Sequence, residues 1–75
     1  MWKPTTVLPE LTMKEAIDGV LYHCSQDFIT IIDIDGEIYS KILYYCDNLG
    51  WLDETGNPEP YHPKWYAELP AEYKP

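Results

Sequence analysis

His23, Cys24, Cys46 and His62 are the residues of this chain whose types suit a metal ion. Two thiolates and two imidazoles would make a tetrahedral zinc set. Structural zinc sites, however, draw their ligands in pairs a few positions apart. Here Cys24 and Cys46 are separated by 22 positions, and Cys46 and His62 by 16. His23 and Cys24 are adjacent, and neighbours on a helix point about 100° apart. The spacing predicts two small buried thiols and no metal or other cofactor; a Cys24–Cys46 disulfide would require an oxidising setting.

Asp33-Ile34-Asp35-Gly36-Glu37 has the opening of a calcium loop, but the twelfth position counted from Asp33 is Tyr44 and the intervening run is apolar. An EF-hand loop needs oxygen ligands across that span and a Glu at its end, so a turn or helix cap is the better reading. For catalysis, Ser25 and Ser40 lie in no glycine-rich elbow. Asp33 and Asp35 are two apart and would face one way on a strand, as a carboxylate pair does. A chain this short rarely closes a pocket around such a pair. No phosphate-cradling loop or dinucleotide fingerprint is present. The expectation is a protein that is not an enzyme and has no catalytic residues.

The carboxylates point elsewhere. Thirteen Asp and Glu stand against five Lys, with no Arg and a net charge of −8. A nucleic-acid reader without arginine is improbable, and an anionic membrane surface is disfavoured for the same reason. A protein partner with a basic surface fits the charge, because opposite fields steer encounter. Glu15, Asp18, Asp27, Asp33, Asp35 and Glu37 follow one another between Lys14 and Lys41 with no base among them. Asp47, Asp53, Glu54 and Glu59 continue before Lys64. Such a run is ordinarily a solvated polar face. Held rigidly, it would also imitate the phosphates of a duplex and block a basic nucleic-acid channel, as some small virus-encoded inhibitors do.

The second interaction candidate is the stretch after Gly50, which holds five of the seven prolines and two of the three tryptophans. Trp51, Tyr61, Trp65, Tyr66 and Tyr73 are residue types over-represented among interface anchors. The alternative is that this tail wraps back over a thin core. Together the sequence nominates Asp27, Asp33, Asp35, Glu37, Asp53, Glu54, Trp51, Tyr61, Trp65 and Tyr66 as partner-binding residues. Homo-oligomerisation, as a small structural or assembly subunit, is the alternative function.

The elements that must position these residues belong to one small domain, 1–75. Its core buries only roughly 60–65% of the unfolded surface. Residues 1–11, with Pro4 and Pro9, read as a lead-in in which Thr5 to Leu8 suits at most an edge strand. Residues 12–50 form a helix–strand–helix core, and 51–75 an irregular tail. Thr12-Met13-Lys14-Glu15 has the form of a capping box and opens a predicted helix over 13–24. Phe28 to Ile34, β-branched and apolar, predicts a strand.

Asp35-Gly36 is a hairpin signal, yet Ile38, Ile42, Tyr45 and Leu49 share a helical face. Asp35 suits an N-cap and Gly50 a C′ position, so a second helix is predicted over 37–49. A faint echo at a spacing of 22 (Glu15 to Cys24 against Glu37 to Cys46) also favours two like elements. In the tail, Trp51 to Glu54 reads as extended, Lys64 to Leu69 as a single helical turn, and 70–75 as frayed.

The fold class expected is therefore α+β, with two helices and one strand or short hairpin; all-α and helix-plus-hairpin are the alternatives. A helix followed by Leu49-Gly50-Trp51 and a return toward Tyr61 also has the cadence of a recognition helix and wing. The first residues lack a signal-peptide apolar core, and no apolar run approaches the roughly 20 residues of a membrane span. With two cysteines expected to be reduced, the predicted location is the cytoplasm.

Overall fold

The computed structural model describes residues 1–70, and none of them is helical. Seven strands form one antiparallel sheet: β1 (Lys3–Pro4), β2 (Met13–Ile17), β3 (Val20–Cys24), β4 (Phe28–Ile34), β5 (Glu37–Cys46), β6 (Gly50–Asp53) and β7 (Trp65–Glu68). Their order is β1-β7-β4-β5-β3-β2, with β6 on β5 as well. The expected α+β class is thus corrected to all-β. The strand predicted over Phe28–Ile34 is present with those bounds as β4.

The predicted helix over 13–24 is a hairpin, and its turn explains why. Asp18 and Gly19 both have positive φ, 52° and 80°, which matches the two-residue turn that joins right-twisted strands. Two successive left-handed residues cannot sit inside a right-handed helix. The predicted helix over 37–49 fails in the same way. Asp35 and Gly36, at φ 53° and 87°, turn β4 back into β5, and the Gly36 N–H donates to Asp33 Oδ1 at 2.9 Å. Asp35 is therefore a turn residue, not a helix cap. The segment Lys64 to Leu69, predicted as a helical turn, holds β7 instead. With no helix after β4, the recognition-helix analogy lapses. The predicted fraying over 70–75 falls, from 71 onward, outside the described residues, as does Tyr73 of the tail's aromatics.

β5 is the organising strand. Its ten residues pair with β4 over Glu37–Leu43, with β6 over Leu43–Cys46, and with β3 at Cys46. Because side chains alternate along a strand, β5 feeds two separate cores. Leu43 joins Phe28, Ile32, Trp51 and Tyr66 on one face, flanked by Ile34 and Tyr45. Cys46 joins Cys24 and Leu52 on the other, flanked by Ile17, Tyr22 and Tyr44. Aromatic edges hold the first core: Phe28 meets Tyr66 at 5.0 Å and Trp51 meets Tyr45 at 5.4 Å between ring centroids.

β6 and β7 lie on opposite sides of the β4–β5 pair, so the chain joining them must cross the sheet. It crosses the face that carries Leu43 and Trp51, where Lys41 Nζ meets Glu59 Oε1 at 2.8 Å. Pro63 is buried there, and its carbonyl accepts from Thr5 Oγ1 at 2.7 Å. Tyr66 donates to the Val7 carbonyl at 2.6 Å, binding residues 5–9 over the same face. The first face is thereby covered. The opposite face of β7, β4 and β5 is left uncovered by the described residues.

Candidate interaction surface

The β4–β5 ribbon gathers three of the nominated acids at its free end. Asp33 lies on β4, Asp35 in the turn and Glu37 at the start of β5. Asp33 Oδ2 is 3.4 Å from Lys64 Nζ in an exposed pair, a geometry worth little to stability. Tyr39 donates to Glu37 Oε2 at 2.6 Å. That bond to the carboxylate holds the Tyr39 phenol above its ordinary pKa.

Next to these acids is an apolar strip on the uncovered face. The register sets Ile31 between Ser40 and Trp65, Ile29 between Ile42 and Ala67, and Asp33 beside Ile38. Ile38 is 61% and Trp65 44% exposed. Ile29, Ile31, Ile42 and Ala67 are half-buried. Nominated Trp65 thus sits two residues from Asp33 in the ribbon's own register, and Tyr61, on the crossing segment, is 51% exposed.

The remaining nominated residues lie elsewhere. Asp27 precedes β4 and borders an open cleft with Glu15, Tyr44 and Glu54. From Asp27 to Asp35 the chain is extended, which puts the two acidic groups roughly 25 Å apart at about 3.3 Å per residue. Tyr44 is held above its usual pKa by burial first, then by Glu15, Asp27 and Asp53; its hydroxyl is 3.4 Å from Glu15 Oε1.

Asp53 is committed to its own loop. Its Oδ1 accepts from Thr55 Oγ1 at 2.6 Å, Thr55 N at 2.9 Å and Asn57 N at 3.0 Å. The Thr55 hydroxyl, followed by the backbone amides, holds its carboxyl below the usual aspartate range. Trp51 and Tyr66 are core residues, 5% and 3% exposed, and offer no ring to a partner.

The metal-type residues do not converge as ligands. Cys24 and Cys46 are joined in a disulfide, which corrects the expectation of free thiols. Their Cα atoms are 4.1 Å apart, the close spacing of a non-hydrogen-bonded antiparallel pair. The Glu15 carboxylate lies near both sulfurs, but a disulfide presents no thiolate to an ion. His23 and His62 are exposed on separate segments.

Sequence reasoning missed Ile29, Ile31 and Ile38 as residues of this face. The signal was in Phe28–Ile34 itself. Its residues are apolar on both faces, a pattern strands show when both faces are to be covered, and the described residues cover only one.

Fold and surface together define an acidic, disulfide-linked, single-sheet protein with an acidic ribbon end and an apolar face that the described residues leave uncovered. No helix among the described residues is long and apolar enough to cross a membrane. No protein-family model, curated protein or solved structure matches the chain.

Proposed function

We propose that this chain is a non-enzymatic protein-binding module. It engages a protein with a basic surface through the free end of the β4–β5 ribbon and the apolar strip behind it. The observation that carries this reading is the placement of Asp33 on the same face as exposed Ile38 and Trp65, with Asp35 and Glu37 at the ribbon end beyond them. Burial of the strip would supply a favourable apolar contribution to binding, with Trp65 as the anchor. The acids would steer encounter and fix orientation.

Inhibition of a basic nucleic-acid-handling protein is the sharper form of the proposal. It draws on the ribbon-end acids, since Asp27 and Glu54 belong to a different group. Self-association is the alternative reading, supported by a strand edge on β5 that is unpaired among the described residues. As to compartment, the buried Cys24–Cys46 disulfide favours an oxidising one over the cytoplasm expected from the sequence.

The test is affinity capture from a nuclease-treated cell lysate with wild-type protein and with the triple variant Asp33→Asn, Asp35→Asn, Glu37→Gln. A protein retained by the wild type, eluted by salt and lost with the variant supports the reading. Capture unaffected by the variant removes the charge-based form of it.

A further inference from the structure

Among the described residues, the edge of β5 opposite β4 is unpaired over Ile38–Ile42. Which backbone groups it presents follows from the hydrogen bonds. The Lys41 carbonyl accepts from Thr30 Oγ1 and the Tyr45 carbonyl from the Ser25 N–H. Odd-numbered residues of β5 therefore direct their backbone groups toward β4 and β3. Even-numbered ones direct theirs outward, as the Cys46 carbonyl does in accepting from the Leu49 N–H. β6 uses this outward edge only over Leu43–Cys46. Among the described residues, the outward groups of Ile38, Ser40 and Ile42 have no backbone partner. An open notch of about 570 Å³, bordered by Ser40, Lys41, Ile42, Asp53 and Glu54, lies beside them.

Exposed strand edges are templates for pairing with another chain. We propose that a second copy of this protein pairs with this edge, β5 against β5, antiparallel about a twofold axis at Tyr39. Charge selects the occupant and the register. With Tyr39 on the axis, Glu37 of each copy stands opposite Lys41 of the other, and Ile38 opposite Ser40. The outward groups of Ile38 and Ser40 then bond those of Ser40 and Ile38 across the axis, as the parity of β5 requires.

Lys41 remains 52% exposed while it contacts Glu59, and an ammonium has three donors to share. The other long open edge, on β2, carries Lys14 and Glu15 at its centre. A twofold axis through either of them sets like charges opposite, which destabilises a cross-strand pair. The β5 pairing continues the sheet from one copy into the next and sets two apolar strips side by side. It stands independently of any heterologous partner.

Sedimentation equilibrium of the full chain from about 10 µM to about 1 mM tests this pairing. A concentration-dependent monomer–dimer equilibrium is expected. Ser40→Pro removes an N–H that no group within the chain uses, so it should leave the circular dichroism and melting unchanged while abolishing the dimer. Glu37→Lys, facing Lys41 of the second copy, should weaken the dimer by at least about tenfold. Tyr39→Cys should cross-link across the axis on mild oxidation, because opposed Cα atoms lie about 4.5 Å apart in such a pair. A wild type monomeric throughout this range overturns the proposal. So does a dimer that persists in a folded Ser40→Pro variant and fails to cross-link through Tyr39→Cys.

Discussion

Cys24 and Cys46 face each other at the one position where β3 meets β5, and their disulfide is buried on both sides, 2% and 0% exposed. Around it the backbone contact continues through the Ser25 N–H to the Tyr45 carbonyl and the Asp47 N–H to the His23 carbonyl, with the His23 N–H to Asp47 Oδ1, Tyr44 to Glu15, and Ile17 and Tyr22 on the second core beside it. The β2–β3 hairpin is thus fastened to the rest of the sheet by a narrow joint.

Cross-linking a loop of 22 residues is worth about 3 kcal/mol in the chain-entropy account. The double variant Cys24→Ala, Cys46→Ala should lose stability of that order in urea denaturation. Hydrogen exchange should accelerate more in Met13–Ile17 and Val20–Cys24 than in β4. Equal acceleration in all strands would show that the joint is not the hairpin's principal attachment.

Gly19 and Gly36 have open space where a Cβ would stand, so replacing them tests backbone conformation alone. At φ of 80° and 87°, alanine should cost roughly 1–2 kcal/mol at each site. Chemical denaturation of Gly19→Ala and Gly36→Ala checks this; neutral variants would contradict the assigned turns.

Leu43 is fully buried at the junction of β4, β5 and β6, and Leu43→Ala should cost about 2–5 kcal/mol. Trp51 carries a buried Nε1 with no hydrogen-bond partner among the described residues. Trp51→Phe removes that orphaned donor along with some volume, so its cost should stay below about 1.5 kcal/mol. Trp51→Ala should cost about 3–5 kcal/mol. Equal losses for the two Trp51 variants would mean that the indole N–H is satisfied in solution.

The pH dependence has two limbs with opposite signs. Asp53 has a folded pKa below its ordinary value, so its contribution is present above that ordinary value and is lost as pH falls through the depressed one. The amide resonances of Thr55 and Asn57 should move together in that acid range. Tyr39, Tyr44 and Tyr66 have folded values above 10.0. Their contributions are present below that value and are lost as pH rises through the raised ones. The phenolates of Tyr39 and Tyr44 should therefore form above the ordinary tyrosine range, and their formation within it would contradict the bonds assigned to them.

Sequence and structure diverge at particular residues for a common physical reason. Ala16, Val20 and Cys24 are four apart, a spacing that keeps one face on a helix and, four being a multiple of two, also on an uninterrupted strand. The spacing alone cannot separate the two readings. Asp18-Gly19 and Asp35-Gly36 could, and giving their turn chemistry precedence over periodicity would have yielded both hairpins. Ile38 and Ile42 do share a face, but Tyr45 lies on the other and Leu49 is in a turn.

The ribbon-end acids were legible because consecutive charges around a turn stay together in any fold. Trp51 and Tyr66 were not separable from Trp65 and Tyr61 by type. Only strand parity assigns the first two to the core, and parity depends on registers between segments far apart in the chain.

Once a partner has been captured, the decisive measurement is its binding isotherm against Ile38→Ser/Trp65→Ala, with Leu21→Ala as control. Leu21 is 58% exposed on the β2–β3 hairpin, away from the strip. The double variant should weaken binding at least about a hundredfold, as loss of an anchor with its apolar neighbour does, while Leu21→Ala stays within about twofold of wild type. Undiminished binding by a folded Ile38→Ser/Trp65→Ala variant would contradict the uncovered face of β7, β4 and β5 as the contact surface.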